Sequence, residues 1–134
     1  MRLLFDASSL IYAIKLSKIE LLYDNYLQWL TIYEALNAIW KEAYLVKSIT
    51  INEANKLVNI FTETIDFMKI LSPRNLEHKI LEYAKKLHLT AYDTSYIALA
   101  EKHNLILVTE DKKLKEKANK IIKTISLNNI VNTR

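Results

Sequence analysis

MRLLFDASSLIYAIKL (residues 1–16) admits two readings, and the choice between them decides the fold. Arg2 followed by apolar residues has the outline of a secretory leader. Asp6, Ser8 and Ser9 interrupt the apolar run, however, and no small-residue cleavage site follows. The better reading is a short buried strand, MRLLF, that ends on Asp6 and feeds a helix over about 9–15. Such a run is too short for a stable helix and suits a strand covered on both faces.

NLILV (104–108) repeats the pattern: a run rich in β-formers, then an acid, then a lysine-rich helix over about 111–119. Weaker strand candidates lie at 26–30, 67–71 and 123–127, with helical patterns at 32–46, 52–64, 75–87 and 91–103. Strands alternating with helices predict a three-layer α/β/α domain around a mainly parallel sheet. Right-handed crossovers then leave few topologies. Ser72-Pro73 closes the run at 67–71 and precedes a helix. Thr50 with Glu53, Thr31 with Glu34 and, more weakly, Thr90 with Asp93 have the spacing of a helix capping box.

The bulk numbers bound the answer. A chain of 134 residues that is 51% hydrophobic suits one domain, 1–134, with a real core. The absence of glycine excludes the glycine-rich phosphate loops. The absence of cysteine excludes disulfides and thiolate-held zinc, and fits an intracellular setting. No run of 18 apolar residues occurs, so no membrane span is expected and a cytoplasmic protein is. The formal net charge of +4 permits nucleic-acid binding without requiring it. Lys112, Lys113, Lys115, Lys117, Lys120 and Lys123 are opposed only by Glu116, a pattern that a solvated helix face also explains.

The placement of the acids carries the chemistry. In an open parallel sheet, ligands bind beyond the carboxyl ends of the strands. Asp6 ends the first strand, and Asp111 follows Val108 by three residues. Glu34 and Asp93 fall in the expected first turns of two helices. Each acid alone has a plain explanation, since an acid there offsets the helix dipole by about 0.3–1 kcal/mol. Asp6 fits that explanation least, because Ser8 or Ser9 could cap the helix without a charge. The apolar neighbours of Glu34 and Asp93, in TIYEALNAIW (31–40) and AYDTSYIALA (91–100), are also unlike a solvent-facing helix start. Glu20, Asp24, Glu82, Glu101 and Glu116 instead sit among lysines or on faces expected to be exposed. If the four converge, their repulsion must be met by protons or a cation. An oxygen-only set suits Mg²⁺ or Mn²⁺, which activate water and neutralise phosphoryl charge.

LLFDASSLI (3–11), TIYEALNAIWKE (31–42), TAYDTSYIALAEK (90–102) and LILVTEDKKL (105–114), in that order, resemble the PIN-domain nucleases, especially the VapC-type toxins of toxin–antitoxin pairs. The resemblance runs from Asp6 to Asp111. It implies a parallel sheet of about five strands and a Mg²⁺- or Mn²⁺-dependent endoribonuclease. It makes Asp6, Glu34, Asp93 and Asp111 the acidic cluster, with Asp6 and Asp93 holding the metal most directly. Ser8 and Thr109 match hydroxyls found beside such clusters, and read equally as helix caps and as groups orienting the metal ligands. The resemblance further implies a homodimer, an RNA substrate and a small antitoxin partner. Lys112, Lys113 and Lys115, just after Asp111, would then contact RNA phosphates.

Other residues read as structural. Asn37, one turn after Glu34, either faces the same groove or is an ordinary polar helix residue. His78, His88 and His103 have no ligand spacing. Trp29 and Trp40 are expected in the core rather than as base-stacking platforms. Two rival readings remain: a PIN-like module that binds RNA or protein without cutting, or a processing nuclease outside any toxin–antitoxin pair. A phosphoacceptor module fits less well, because it needs an adjacent acidic pair where FDASS (5–9) offers only Asp6.

Overall fold

The computed structural model describes residues 1–132. Strand β1 (Leu3–Phe5) leads into α1 (Ala7–Lys15), and β2 (Tyr26–Gln28) into α2 (Trp29–Trp40). The chain continues through α3 (Ile51–Ile65), β3 (Lys69–Leu71), α4 (Glu77–Leu87) and α5 (Ala91–His103). It closes with β4 (Ile106–Val108), α6 (Lys112–Ala118), β5 (Thr124–Ile125) and α7 (Leu127–Asn132). The strands form one parallel sheet in the order β3-β2-β1-β4-β5. Strand order therefore reverses direction between β1 and β4, and a crevice opens there at the carboxyl edge.

Period-two alternation along each strand sends neighbours to opposite faces. Leu3, Phe5, Leu27 and Val108 pack with α1, α2, α3 and α7. Leu4, Tyr26 and Leu107 pack with α5, α6 and Leu87 of α4. This is the expected three-layer α/β/α arrangement. No helix among the described residues is long and apolar enough to cross a membrane.

Helix α2 departs from expectation in three ways. It begins at Trp29, with Gln28 as the extended N-cap, so Thr31 lies inside the helix. Thr31 Oγ1 accepts the Gln28 backbone N–H at 3.2 Å, and Glu34 falls in the second turn rather than the first. The helix then widens into a π-helical turn, Lys41–Leu45, where Val46 N–H donates to the Lys41 carbonyl at 2.9 Å. Finally, Trp29 and Trp40 are not in the core: they are 54% and 46% exposed. The buried stripe of α2 is Thr31, Ala35 and Ile39. Trp29, Tyr33, Leu36 and Trp40 recur at helical spacing on the outer face, all exposed. The inner stripe carries the smaller side chains, with α2 packed on α1, while the aromatic residues stand outside.

In a chain without glycine, other residues must terminate helices in the left-handed region. Asn104 ends α5 at φ 54°, and His88 ends α4 at φ 54°. Both carry a Cβ, but asparagine's short polar side chain tolerates this region, whereas histidine bears more of the cost that only glycine escapes. His88→Gly is expected to raise stability by about 0.5–1 kcal/mol, read as a higher urea midpoint. The His88 carbonyl that accepts from Lys117 Nζ is retained in that variant.

Candidate active site

A cleft of about 580 Å³ opens at the β1/β4 crossover, and its walls include Asp6, Ser8, Glu34, Asn37, Asp93 and Asp111. The sequence-predicted acids thus face one space, and Asn37 faces it too. Among the described residues, however, no three of Asp, Glu and His stand together as a closed metal-ligand group. The acids ring a cleft rather than form a cage.

The acids reach the cleft by three local devices, one of them used twice. Asp6 is itself the N-cap of α1, and its Oδ1 accepts the Ser9 N–H at 2.9 Å. Asp111 caps α6 in the same way, with Oδ1 accepting the Leu114 N–H at 3.0 Å. Asp93 behaves differently. Thr90 caps α5 by accepting the Asp93 N–H at 3.2 Å, but the Asp93 carboxylate returns no bond. At the same spacing, Glu53 does reach back to the Thr50 N–H, at 3.0 Å. An aspartate is one methylene too short for that return, so its carboxylate stays free for the cleft.

Glu34 is held across the top of the sheet. The Tyr96 hydroxyl donates to Glu34 Oε1 at 2.6 Å and contacts Thr31 Oγ1 at 2.8 Å. Thr109, fully buried, accepts the Asp111 N–H at 3.1 Å, and its side chain lies close enough to Asp6 to favour the ionised carboxylate. It therefore links two of the acids. Ser8 lines the cleft at an exposed position, with no side-chain hydrogen bond among the described residues. Ser9 is the buried hydroxyl: it makes no hydrogen bond of good geometry, yet lies close enough to favour ionised Asp6.

The electrostatics follow from burial and crowding. Burial pushes Asp6 above the ordinary carboxylate range, against the Thr109 and Ser9 hydrogen bonds that favour its ionised form. Burial also raises Glu34, opposed by the Tyr96 hydrogen bond and reinforced by the charges of Asp6 and Asp93. Asp93 is raised by burial and by Asp111, with Lys113 opposing. Groups whose folded pKa lies above the unfolded value bind more protons when folded. Their stability contribution is complete below the unfolded pKa and is lost as pH rises through the folded one. In a chelator, acidification from neutrality into the window just above the normal carboxylate range should therefore offset this loss. Comparing melting temperature against pH for wild type and Glu34→Gln checks this: the variant should show the smaller pH dependence, and identical curves would refute it.

Besides Ala7 and Ala38, four larger cleft residues were not singled out in the sequence. Tyr96 looked like part of a buried helix, since its hydroxyl's partner is 62 residues away. Lys41 lines the cleft two helical turns beyond Glu34, a spacing that i, i+7 periodicity could have flagged. Glu110 also lines it, but its Oε1 accepts the Leu127 N–H at 2.7 Å. Leu114 supplies an apolar wall. Lys112, Lys113 and Lys115 sit on α6 just outside the cleft lining, with Lys113 near enough to act on Asp93. His78 and His88 are exposed, and none of the three histidines lines the cleft.

Comparison with known proteins places the fold in a family. The model of the PIN domain family matches residues 3–120. The chain is 39% identical over 85 residues to "Exonuclease VapC9" of Pyrobaculum aerophilum, an alignment covering 63% of this chain and 60% of that protein. It is 33% identical over 90 residues to "Ribonuclease VapC3" of the same organism, covering 66% of each. The alignments thus span somewhat under two thirds of each relative's length. Among solved structures, PAE2754 from Pyrobaculum aerophilum superposes with a TM-score of 0.80 at 29% identity, covering 99% of this chain and 94% of that one. With the family's model matched over most of the chain and a five-stranded parallel sheet in place, the chain belongs to the PIN domain family.

Proposed function

We propose that the protein is a divalent-metal-dependent endoribonuclease that hydrolyses RNA phosphodiester bonds, and that it is the toxin of a toxin–antitoxin pair. The observation that carries this reading is the cleft itself: Asp6, Glu34, Asp93 and Asp111 around one opening, three of them destabilised as anions by burial and, for two, by one another. Such a site favours uptake of a cation. The donors are all oxygens, which suits Mg²⁺ or Mn²⁺. Those ions need only one or two carboxylates and complete their shells with water, so an open ring of acids fits them better than a closed cage would.

Asp6 and Asp93 would hold the ion, with Glu34 and Asp111 contributing directly or through water. When bound, it supplies a hydrolytic water and neutralises charge on the phosphoryl group. The chain's own residues do the rest. Thr109 and the Ser9 N–H keep Asp6 oriented, and one of the acids accepts the proton that the water releases. Lys41, a cation on the cleft wall, is placed to meet a phosphate, while Lys112, Lys113 and Lys115 would extend the contact along RNA outside it. Ser8 stands at the mouth as a further polar contact.

A soluble cytoplasmic setting, a homodimer and a small antitoxin partner complete the proposal. The exposed apolar stripe of Trp29, Tyr33, Leu36 and Trp40 supports a protein partner surface, because such a contiguous patch is costly to leave in water.

The test uses purified protein with a linear and a circular single-stranded RNA, in Mg²⁺, in Mn²⁺ and in chelator. Wild type should cut both RNAs only with metal, and Asp93→Asn should lose at least about 100-fold in rate. Cleavage of linear but not circular RNA would make it an exonuclease. Metal-independent cleavage, or full activity in Asp93→Asn, would sink the reading.

A further inference from the structure

Two largely buried strings of hydrogen bonds run from the end of β2 to α5. In one, Gln28 Nε2 donates to Ser95 Oγ at 2.7 Å, and Ser95 donates to the Tyr92 carbonyl at 2.6 Å. In the other, the Gln28 backbone N–H donates to Thr31 Oγ1 at 3.2 Å. Thr31 Oγ1 meets the Tyr96 hydroxyl at 2.8 Å, and that hydroxyl meets Glu34 Oε1 at 2.6 Å. A carboxylate can only accept, so Tyr96 must donate to Glu34 and Thr31 must donate to Tyr96. Every donor in the string then points toward Glu34.

The surroundings leave this string little freedom. Gln28, Thr31 and Tyr96 are each no more than 1% exposed, so water does not compete for the hydroxyls. Tyr96 is packed among Ile97, Leu99, Leu107 and Leu114 on the α5 side of the sheet. Glu34 belongs to α2, on the other side. The terminal torsion of a glutamate is intrinsically broad, and the charges of Asp6 and Asp93 act on this one. Without an anchor, its carboxylate would rotate away from them. Glu34 Oε2, in contrast, makes no hydrogen bond among the described residues.

We propose that Tyr96 is a positioning residue: its hydroxyl, aimed by Thr31 and Gln28, holds Glu34 by one oxygen and presents the other to the cleft as a single-oxygen metal donor. The inference rests on the nuclease reading above and assigns Tyr96 no contact with substrate. Its consequence is that Tyr96 acts on metal binding only through Glu34. Thr31 acts only through Tyr96.

Mn²⁺ titration of the purified full chain, followed by electron paramagnetic resonance, tests this alongside cleavage kinetics. Tyr96→Phe is expected to weaken Mn²⁺ affinity by about 10-fold, in the range of lost outer-shell partners. Its kcat should fall with KM for RNA within about two-fold of wild type, since RNA contacts are untouched. In the Glu34→Gln background, adding Tyr96→Phe should cause no further loss of Mn²⁺ affinity. Thr31→Val, which leaves the ring in place, should show a smaller loss, and Thr31→Ser should restore wild-type affinity. Circular dichroism of each variant reports folding, and Thr31→Val carries the test if Tyr96→Phe does not fold. Wild-type Mn²⁺ affinity in both Tyr96→Phe and Thr31→Val, or an equal loss with and without Glu34, overturns the inference. If Asp6→Asn has meanwhile lost Mn²⁺ binding and cleavage, the nuclease reading stands without it. If Asp6→Asn binds and cuts like wild type, both fall.

Discussion

Asp6→Asn should abolish metal-dependent RNA cleavage, by about 100-fold or more, while leaving the melting temperature in chelator unchanged or slightly higher. The two halves of this result have separate causes. Asp6 carries a structural task, capping α1 through Oδ1, and asparagine caps a helix as well as aspartate does. It also carries a charge that burial disfavours, as its raised pKa shows. Sign matters here. A carboxyl with a raised folded pKa loses stability as pH climbs past that value, so at neutrality ionised Asp6 stands at a cost that the neutral amide avoids. Catalysis needs that anion and folding does not. Thermal denaturation in chelator and cleavage of labelled RNA, run on the same preparation, would separate the two. A variant that stays active contradicts the proposed role, and one that melts far below wild type contradicts the account of the cap.

One residue earlier, Phe5→Ala should do the reverse: a loss of about 3–5 kcal/mol in stability, among the largest available from a single core substitution. Phe5 is fully buried in β1 and packs in the cluster with Leu10, Ile14, Leu27 and Val108. Set against a typical domain stability of about 5–15 kcal/mol, this loss leaves little margin. The expected reading is a large fall in urea midpoint with an unchanged denaturant slope, since both end states keep their exposure. Protein still folded at low temperature should retain cleavage, because the Ser9, Thr109 and Val108 contacts of Asp6 come from other residues. A loss below about 1 kcal/mol would show that β1 repacks freely.

The comparison of Thr50–Glu53 with Thr90–Asp93 shows how far local spacing can be trusted. Both pairs start helices as their spacing implies. Only the glutamate closes its box; the aspartate is left with a free carboxylate beside three other acids. The difference of one methylene was visible in the chain, but the company it leaves Asp93 in was not. Thr31–Glu34 shows the opposite limit. The same spacing occurs there inside a helix, because Gln28, not Thr31, carries the extended cap conformation. Glu34 reaches the cleft even so, held by a tyrosine from another layer.

Exposure was the least legible property. From sequence, the large tryptophans of α2 are expected in the interior rather than as base-stacking platforms. Packing on α1 and the Thr31 contacts with Gln28 and Tyr96 turned Thr31, Ala35 and Ile39 inward instead and left Trp29 and Trp40 outside. The lysines tell a related story. Lys112, Lys113 and Lys115 are adjacent to Asp111 in the chain but outside the cleft lining, whereas Lys41, seventy residues from Asp111, is part of it.

Sequence by itself determined the alternation of strands and helices, the positions where most elements start, and the placement of Asp6 and Asp111 at strand ends. These are local matters, governed by side-chain alternation over two residues, helical repeats of three to four, and capping within one turn. Only the tertiary structure decided that β1 lies beside β4, so that Asp6 and Asp111 share one crevice. It alone decided which stripe of α2 is buried, and that Tyr96 reaches Thr31 and Glu34 across 65 and 62 residues of chain. Those outcomes depend on which distant surfaces fit together, and a pattern of near neighbours carries no record of that.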